Sequence, residues 1–367
     1  MKNTYFKTQN LSNLKREDFQ KEIDGSMTDL FILTNNNGME VSLTNYGCML
    51  LSIMVPDKNG NYENVILGHS HIDDILNCPE PFLNTVVGRY ANRIAKGKFS
   101  LDNKEYQLTI NNGPNALHGG PTGFHTKVWV ANQIAVNKIE LTYTSDNGEE
   151  GYPGNLEVKL TYSLSNETNA LHINYKATTD QKTLVNLTSH GFFNLAGIGT
   201  PTCSVENNIV SINANHYLPI DEVSIPTGEI LKVEGTPMDF RKPSSIGLNI
   251  NQESEQLKNG AGYDHCYVLN KKEPGELSLA ATCLEPNSKR KMTVYTTEPG
   301  VQLYTGNWLN GFEGAHGATF PARSAVCFEA QRFPDTPNKS HFPTAILNPK
   351  EEYNQTTIYE FTVEEVI

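Results

Sequence analysis

Residues 325–335 read A-V-C-F-E-A-Q-R-F-P-D, and they predict a buried strand that carries a carboxylate. Side chains alternate between the two faces of a strand. One face then holds Val326, Phe328 and Ala330, and the other holds Cys327, Glu329 and Gln331. Pro334 ends the ladder because it has no N–H to donate. A buried charge without a partner is very costly, so Glu329 is either held in a structural salt bridge or functional.

Around this stretch, the chain is a succession of short strand patterns separated by turn sequences. Residues 30–33 and 39–43 flank Asn-Asn-Asn-Gly, which is a strong hairpin signal. Helical periodicity is brief, at 14–23, 72–76 and 244–257, with Ser244 or Ser245 available to cap the last segment. So many strands without intervening helices predict antiparallel sheets packed face to face. We expect an all-β fold, a large antiparallel β-sandwich with few short helices.

The composition fits one globular unit and excludes several classes of protein. The 367 residues are 38% hydrophobic and 19% charged, and no linker divides them, so we expect a single domain over 1–367 with residues 1–25 as an N-terminal extension. The net charge of −12 and the lack of a basic stripe count against nucleic acid. No apolar run approaches the roughly 20 residues of a membrane-spanning helix.

Two further patterns bear on the compartment. Six scattered cysteines without metal-ligand spacing suit a reducing environment. The first residues, M-K-N-T-Y-F-K-T-Q-N, lack the apolar segment of a signal peptide. We therefore expect no membrane partner and a cytoplasmic location, with an exported native form left open.

Two histidines stand where packing does not require them. His118 lies between Leu117 and two glycines, which let another chain or a ligand approach closely. His190 lies on a predicted strand, 184–195, whose apolar side chains face one way and whose polar side chains face the other. An imidazole there can act as a general acid or base near neutral pH. The alternative for each is a structural histidine tied to the backbone.

Arginine, amide and carboxylate side chains form two more candidate groups. Arg89 and Arg93 flank Asn92, and a guanidinium offers forked donors that suit hydroxyls or carboxylates. The alternative for both arginines is an exposed loop position. Asp264 leads into a strand, and the alternative for it is pairing with a nearby arginine. No dinucleotide fingerprint, phosphate loop or zinc signature occurs in the sequence.

Five motifs together resemble the aldose 1-epimerase (galactose mutarotase) family. They are G-R-Y-A-N-R-I (88–94), N-A-L-H-G-G (115–120), S-H-G-F-F-N-L-A-G (189–197), Y-D-H (263–265) and E-A-Q-R-F-P-D (329–335). The likeness extends from residue 30 to the C-terminus. It implies a β-sandwich of the galactose-mutarotase type that needs no cofactor and no metal.

The resemblance also implies roles for individual residues. Glu329 would be the general base and His190 the general acid. A neighbouring carboxylate, Glu329 itself or Asp264, should then favour the imidazolium and raise the pKa of His190. The sugar hydroxyls and ring oxygen would be held by Asn92, Arg93, His118, Asp264 and Gln302. Ser189 and Phe192 depart from the family pattern, which commonly has Asn and Tyr there. These departures concern the preferred sugar more than the type of reaction.

The implied reaction is the interconversion of α and β anomers of free hexoses such as galactose and glucose, with a monosaccharide as the partner and a monomer or weak homodimer as the assembly. Three alternatives stay open. A sugar-phosphate 1-epimerase of similar fold would have more basic residues in its cleft. A glycosidase would need two carboxylates beside the bond, for which Glu329 and Asp264 are candidates. A non-catalytic sugar-binding module would bind without turnover.

Overall fold

The structure, a computed structural model, describes residues 10–198 and 203–364. Within these residues the helices are short. The two α-helices are Ile72–Leu76 and Glu255–Asn259. The 3₁₀ turns are Arg16–Phe19, Ala95–Gly97, Phe124–Thr126, Glu149–Gly151, Val205–Asn207, Ile246–Leu248, Ala315–Gly317 and Thr336–Asn338.

The largest sheet in the described residues has nine strands, and all its pairings are antiparallel. In spatial order they are Val130–Ala135, Lys138–Ser145, Leu156–Leu164, Ala170–Thr179, Tyr353–Val363, Arg290–Thr296, Ser278–Leu284, Ile209–Ile212 and Ser244–Ser245. Along Leu156–Leu164, buried residues alternate with more exposed ones. This period of two is what one core-facing side of a sheet requires.

Two smaller antiparallel sheets complete the framework. The five-stranded sheet has the order Leu231–Lys232, Ala214–Tyr217, Asp264–Leu269, Gly300–Tyr304 and Cys327–Gln331. The four-stranded sheet has the order Leu30–Thr34, Glu40–Thr44, Leu50–Pro56 and Tyr62–Asn64. The hairpin predicted around residues 30–43 is the first pair of this second sheet and is confirmed.

The remaining strands form two-stranded ladders. These are Glu22–Ile23 with Ser26–Met27, Val86–Val87 with Thr188–Ser189, Arg93–Ile94 with Ala116–Leu117, Lys98–Leu101 with Lys104–Gln107, Thr183–Leu184 with Ile346–Leu347, and Phe312–Glu313 with Thr319–Phe320. The second ladder leads into His190 and the third contains Arg93, and both of these residues line one cavity.

The three larger sheets share one hydrophobic core. Its buried residues include Ile173 from the nine-stranded sheet, Leu303 from the five-stranded sheet and Leu43 from the four-stranded sheet. Tyr359 joins the two larger sheets through its hydroxyl, which donates to the carbonyl of Phe328 at 2.9 Å. The predicted all-β fold with few short helices is confirmed. The single domain over 1–367 stays a prediction.

The N-terminal extension packs on the four-stranded sheet where it is described. The backbone N–H groups of Leu11 and Ser12 donate to the Glu40 carboxylate at 2.7 and 2.9 Å, and Phe19 is fully buried. Residues 1–9 of the predicted extension lie outside the described residues. Among the helices of the described ranges, none is long and apolar enough to cross a membrane.

The predicted helices have different outcomes. The segment at 72–76 is confirmed, whereas 14–23 contains the 3₁₀ turn Arg16–Phe19 and the short strand Glu22–Ile23. The helix predicted over 244–257 is wrong, since only Glu255–Asn259 is α-helical there. Ser244–Ser245 instead pairs with the strand Ile209–Ile212 at the sheet edge. The backbone of both serines pairs with that strand, and Ser245 is followed only by the 3₁₀ turn Ile246–Leu248.

Candidate active site

A cavity of about 320 Å³ opens where the five-stranded sheet meets the short ladders. Its lining residues come from separate parts of the chain: Glu80, Pro81, Phe82, Asn92, Arg93, Asn111, Asn112, Leu117, His118, His190, Asp264, Tyr304, Trp308 and Glu329. Six of the seven predicted site residues are among them. The seventh, Gln302, lies behind the lining.

Glu329 is carried by the edge strand Cys327–Gln331, as the sequence predicts. The predicted faces are also found, since Val326 and Phe328 belong to the main core and Cys327 to a second cluster. Glu329 is 2% exposed, and its Oε2 has no hydrogen-bond partner in the described chain. Burial raises the pKa of its carboxyl well above the usual range, Asp264 adds to the rise, and Arg93 opposes it.

His190 faces Glu329 across 3.5 Å, measured from Nε2 to Oε2. The histidine follows the ladder of Thr188–Ser189 with Val86–Val87, and its ring stacks on Phe192 with centroids 4.8 Å apart. The continuous strand predicted over 184–195 is wrong. After Ser189 the backbone bonds to three different segments, because the N–H groups of residues 192, 193 and 194 donate to Asn84 Oδ1, Val326 O and Val65 O.

The ionisation of His190 differs from the sequence-based expectation. A neighbouring carboxylate is expected to favour the imidazolium and raise the pKa of His190. Instead, burial lowers the pKa of His190 to about 4. The expectation is wrong because burial removes the charged ring from water, and it also favours the uncharged form of Glu329, the carboxyl that was expected to attract the imidazolium. Burial thus opposes charge on both partners of the pair.

Two hydrogen bonds join His118 and Asn92, one accepted by the His118 ring and one between the two backbones. The Asn92 N–H donates to His118 Nδ1 at 3.1 Å, and the His118 N–H donates to the Asn92 carbonyl at 3.1 Å. Nδ1 is therefore an acceptor, and the ring carries its proton on Nε2. Burial lowers the pKa of His118 well below its ordinary value, so the ring is neutral and serves as a fixed donor. The close approach predicted at the Gly-Gly pair is present: a Cβ on Gly119 would collide with the Gly88 carbonyl.

Arg93, Asp264 and Gln302 form a connected polar group on another wall. Arg93 Nε donates to Asn112 Oδ1 at 3.0 Å, and its Nη1 lies 3.8 Å from Asp264 Oδ2. Gln302 Nε2 donates to Asp264 Oδ1 at 2.7 Å. Gln302 is also paired in register with Glu329 across neighbouring strands. The sequence-based role of Gln302 as a sugar contact stays a prediction, while its present contact orients Asp264.

Arg89 is not the exposed loop residue that the sequence favours. It is 2% exposed, and its guanidinium donates at 2.6–3.0 Å to a hydroxyl and four backbone carbonyls within residues 145–154. This arginine stabilises the fold and does not line the cavity. Arg93, with its side chain 13% exposed, is not an exposed loop residue either.

Sequence reasoning missed four conspicuous lining residues, Glu80, Phe82, Tyr304 and Trp308. For two of these residues, Glu80 and Trp308, a local sequence feature could have indicated a functional position. Glu80 lies between two prolines in C-P-E-P-F, where a charged residue has no helical or strand pattern to satisfy. Trp308 lies in the turn-rich G-N-W-L-N-G, and its 68% exposure at the cavity leaves a large aromatic surface open to a ligand.

A family model described as Aldose 1-epimerase matches residues 29–360. The chain belongs to the aldose 1-epimerase family. It is 43% identical over 326 residues to a galactose mutarotase from Sus scrofa, with 89% of this chain and 92% of that protein covered. It is 35% identical over 343 residues to an aldose 1-epimerase from Escherichia coli K12, covering 93% and 97%.

Solved structures agree with this assignment. A galactose 1-epimerase from Lactobacillus acidophilus superposes with a TM-score of 0.81 at 31% identity, covering 94% of this chain and 97% of that chain. A GalM/aldose epimerase homologue from C. elegans gives a TM-score of 0.84 at 29% identity, covering 92% and 100%. The predicted fold type and the prediction that the chain is an isomerase are confirmed.

This aldose 1-epimerase also brings together a donor set that suits a metal ion. Ligand atoms of His118, His190 and Glu329, all buried, lie within 4.8 Å of one another. Two imidazoles and a carboxylate are ligands that first-row divalent metals accept. The same atoms form an acid–base pair with a neighbouring donor, so the absence of a metal from the reaction stays a prediction.

Proposed function

We propose that the chain interconverts the α and β anomers of free, uncharged hexoses, galactose first among them, with Glu329 and His190 as its acid–base pair. The observation that carries the proposal is the buried contact of 3.5 Å between Glu329 Oε2 and His190 Nε2 at the wall of the cavity. A strongly perturbed carboxyl beside an imidazole in a cleft is typical of proton-transfer sites.

The chemistry needs only two proton movements at a time. One group removes the proton from the C1 hydroxyl while another protonates the ring oxygen, so that the C1–ring oxygen bond breaks and the aldehyde forms. Rotation about C1–C2 and closure with the roles exchanged gives the other anomer. In this scheme Glu329 takes the hydroxyl proton and His190 supplies the ring proton. Each such assistance contributes about 10²–10⁴ in rate.

The shifted pKa values are compatible with these roles because the pair shares one proton. Burial favours a neutral imidazole and a protonated carboxyl in the empty cavity. The working form, carboxylate and imidazolium, contains the same single proton. A transfer between Glu329 and His190 converts one form to the other without exchange with solvent, so the two groups titrate as a unit.

The other polar residues of the cavity would hold the sugar. The Arg93 guanidinium and the His118 Nε2–H are donors for sugar oxygens, and Asp264 is an acceptor for a hydroxyl. Asn92 sets the direction of the His118 ring. Trp308 offers an apolar face for the C–H groups of the ring.

The charge of the cavity favours a free sugar over a phosphorylated one. Its lining contains three carboxyl side chains, Glu80, Asp264 and Glu329, and one guanidinium, that of Arg93. A sugar-phosphate epimerase would need cations to balance a phosphate. The contact between Glu329 and His190 also argues against a non-catalytic sugar-binding module, because binding alone does not require an acid–base pair.

Polarimetry of freshly dissolved α-galactose, α-glucose and their 6-phosphates tests the proposal. We expect faster mutarotation of the free sugars, with no loss when EDTA is present. Trp308 fluorescence then separates turnover from binding, because Trp129, the other tryptophan, is 1% exposed and away from the cavity lining. If the sugars change the Trp308 fluorescence but all of them mutarotate at the buffer rate, the protein is a sugar-binding module and not an epimerase.

The proposal also covers the oligomeric state, the cellular location and the domain organisation of the protein. We propose a monomer or weak homodimer in the cytoplasm that folds as one domain. Analytical ultracentrifugation, cell fractionation and limited proteolysis test these three statements in turn.

A further inference from the structure

Glu80 is a cavity carboxyl that the proposed acid–base chemistry does not use. Its side chain lines the cavity together with Glu329 and Asp264. One carboxylate oxygen accepts a hydrogen bond of 3.4 Å from the Phe82 N–H. Within residues 10–198 and 203–364 Glu80 forms no ion pair, and this is its single side-chain hydrogen bond. A half-buried carboxyl without a cation is expensive unless a ligand uses it.

The backbone holds this carboxyl in place. Pro79 and Pro81 flank Glu80 and restrict the chain on both sides. The Leu83 N–H donates to the Glu80 carbonyl at 3.3 Å, which closes a turn. The Phe82 ring anchors that turn against His118, with centroids 4.7 Å apart. The carboxyl therefore stays at the cavity beside the residues that would hold the sugar.

The charge around Glu80 is not neutralised. Among the described residues that line the cavity, Arg93 carries the single guanidinium, and it already lies beside Asp264 at 3.8 Å. Burial raises the pKa of Glu80 to about 7, so the group is mostly ionised at pH 8. A ligand that brings its own negative charge would meet like charges in a partly desolvated site. A hydroxyl, by contrast, can donate to this carboxylate.

We propose that Glu80 is a specificity-determining residue that accepts a hydrogen bond from a hydroxyl of a neutral aldose and excludes sugars that carry a carboxylate. The inference rests on the proposed function and narrows its substrate class. Galactose and galacturonate are the matched probes, because they differ only at C6, where CH₂OH is replaced by COO⁻. The proposal covers the same cavity and requires no additional chemical step.

The test compares wild type, Glu80→Gln and Glu105→Gln by polarimetry at pH 8 with both sugars. The first substitution removes the cavity charge with little change in shape. The second removes a charge from an exposed carboxylate that pairs with Lys98 at 2.9 Å outside the cavity lining. We expect Glu80→Gln to raise kcat/KM for galacturonate about tenfold relative to galactose, as the loss of one nearby like charge predicts. Glu105→Gln should leave that ratio unchanged.

The outcomes distinguish a failure of the role proposed for Glu80 from a failure of the proposed epimerase function. If wild type converts galactose and Glu80→Gln gains nothing on galacturonate, exclusion by Glu80 is overturned while the proposed function stands. If wild type leaves both sugars at the buffer rate, the proposed function itself is overturned. Thermal unfolding of each variant confirms that it is folded, and Glu80→Thr repeats the comparison if Glu80→Gln is not.

Discussion

A rise in pH from 5 to 7 tests whether Glu329 and His190 share one proton or whether Glu329 is an ordinary carboxylate that is already ionised at pH 5. Burial lowers the pKa of His190 to about 4. If Glu329 kept an ordinary carboxyl pKa and were ionised throughout, an acid with the pKa of His190 would lose its protonated fraction about tenfold per pH unit, and kcat/KM would fall about 100-fold between pH 5 and pH 7. A proton shared with Glu329 is retained over this interval, because burial raises the pKa of that carboxyl well above its usual range. We expect kcat/KM to stay level to within about twofold.

The limits of the level region follow from the same two shifts. Below about pH 4 the pair gains a second proton, both groups are protonated, and no base remains. On the alkaline side the pair loses its only proton, and no acid remains. The profile should therefore be broad, with an acid limb assigned to His190 and an alkaline limb assigned to the carboxyl of Glu329. This assignment is the reverse of that expected from unperturbed groups.

The assay is the initial rate of mutarotation of freshly dissolved α-galactose, with the buffer rate subtracted at each pH. Glu329→Gln and His190→Asn should each lower the rate about 10²–10⁴-fold, since either substitution removes one of the two groups that share the proton. Glu105→Gln is the matched control for an unrelated carboxylate and should keep the wild-type profile. A 100-fold fall from pH 5 to pH 7 in the wild type would refute the shared proton. Near-normal turnover of His190→Asn would remove His190 from the reaction.

Three further predictions concern binding and stability. Arg93→Ala and Asp264→Ala should each lower kcat/KM at least about tenfold while circular dichroism stays native; unfolding of both would identify a core ion pair instead. Gln302→Met should raise KM about tenfold with a smaller effect on kcat, because Asp264 loses its bond of 2.7 Å; an unchanged KM would contradict this positioning role. Arg89→Met should lower the free energy of unfolding by about 2–4 kcal/mol in urea titrations, since it leaves buried carbonyls unpaired; an unshifted midpoint would contradict it.

Local patterns carried the predictions that the structure confirms. The alternation around Glu329 depends only on the period of two along one strand, so the faces of Val326 and Cys327 could be assigned without knowing any partner. The hairpin at residues 30–43 likewise depends on a turn and its two flanking strands. The motifs that resemble aldose 1-epimerases named six residues that line the cavity, although they are far apart in the chain.

Predictions that depended on distant partners failed or were missed. The helix predicted over 244–257 does not form at its start, because Ser244 and Ser245 pair with the strand Ile209–Ile212, more than thirty positions earlier. Arg89 looked like a loop residue because its acceptors lie at residues 145–154. Glu80 gave only a local signal between two prolines, and its place beside Glu329 exists only in the folded chain.

The sequence by itself determined the strand pattern, the fold class and the residue types of the site, because each depends on local periodicity or on motifs that can be read one after another. Only the tertiary structure decided how the groups ionise. From the sequence alone, Glu329 is an acidic residue and His190 a basic one, and electrostatic attraction between them would favour the charged pair. Both groups are buried, His190 by stacking on Phe192, so desolvation is the larger effect and favours the neutral pair instead.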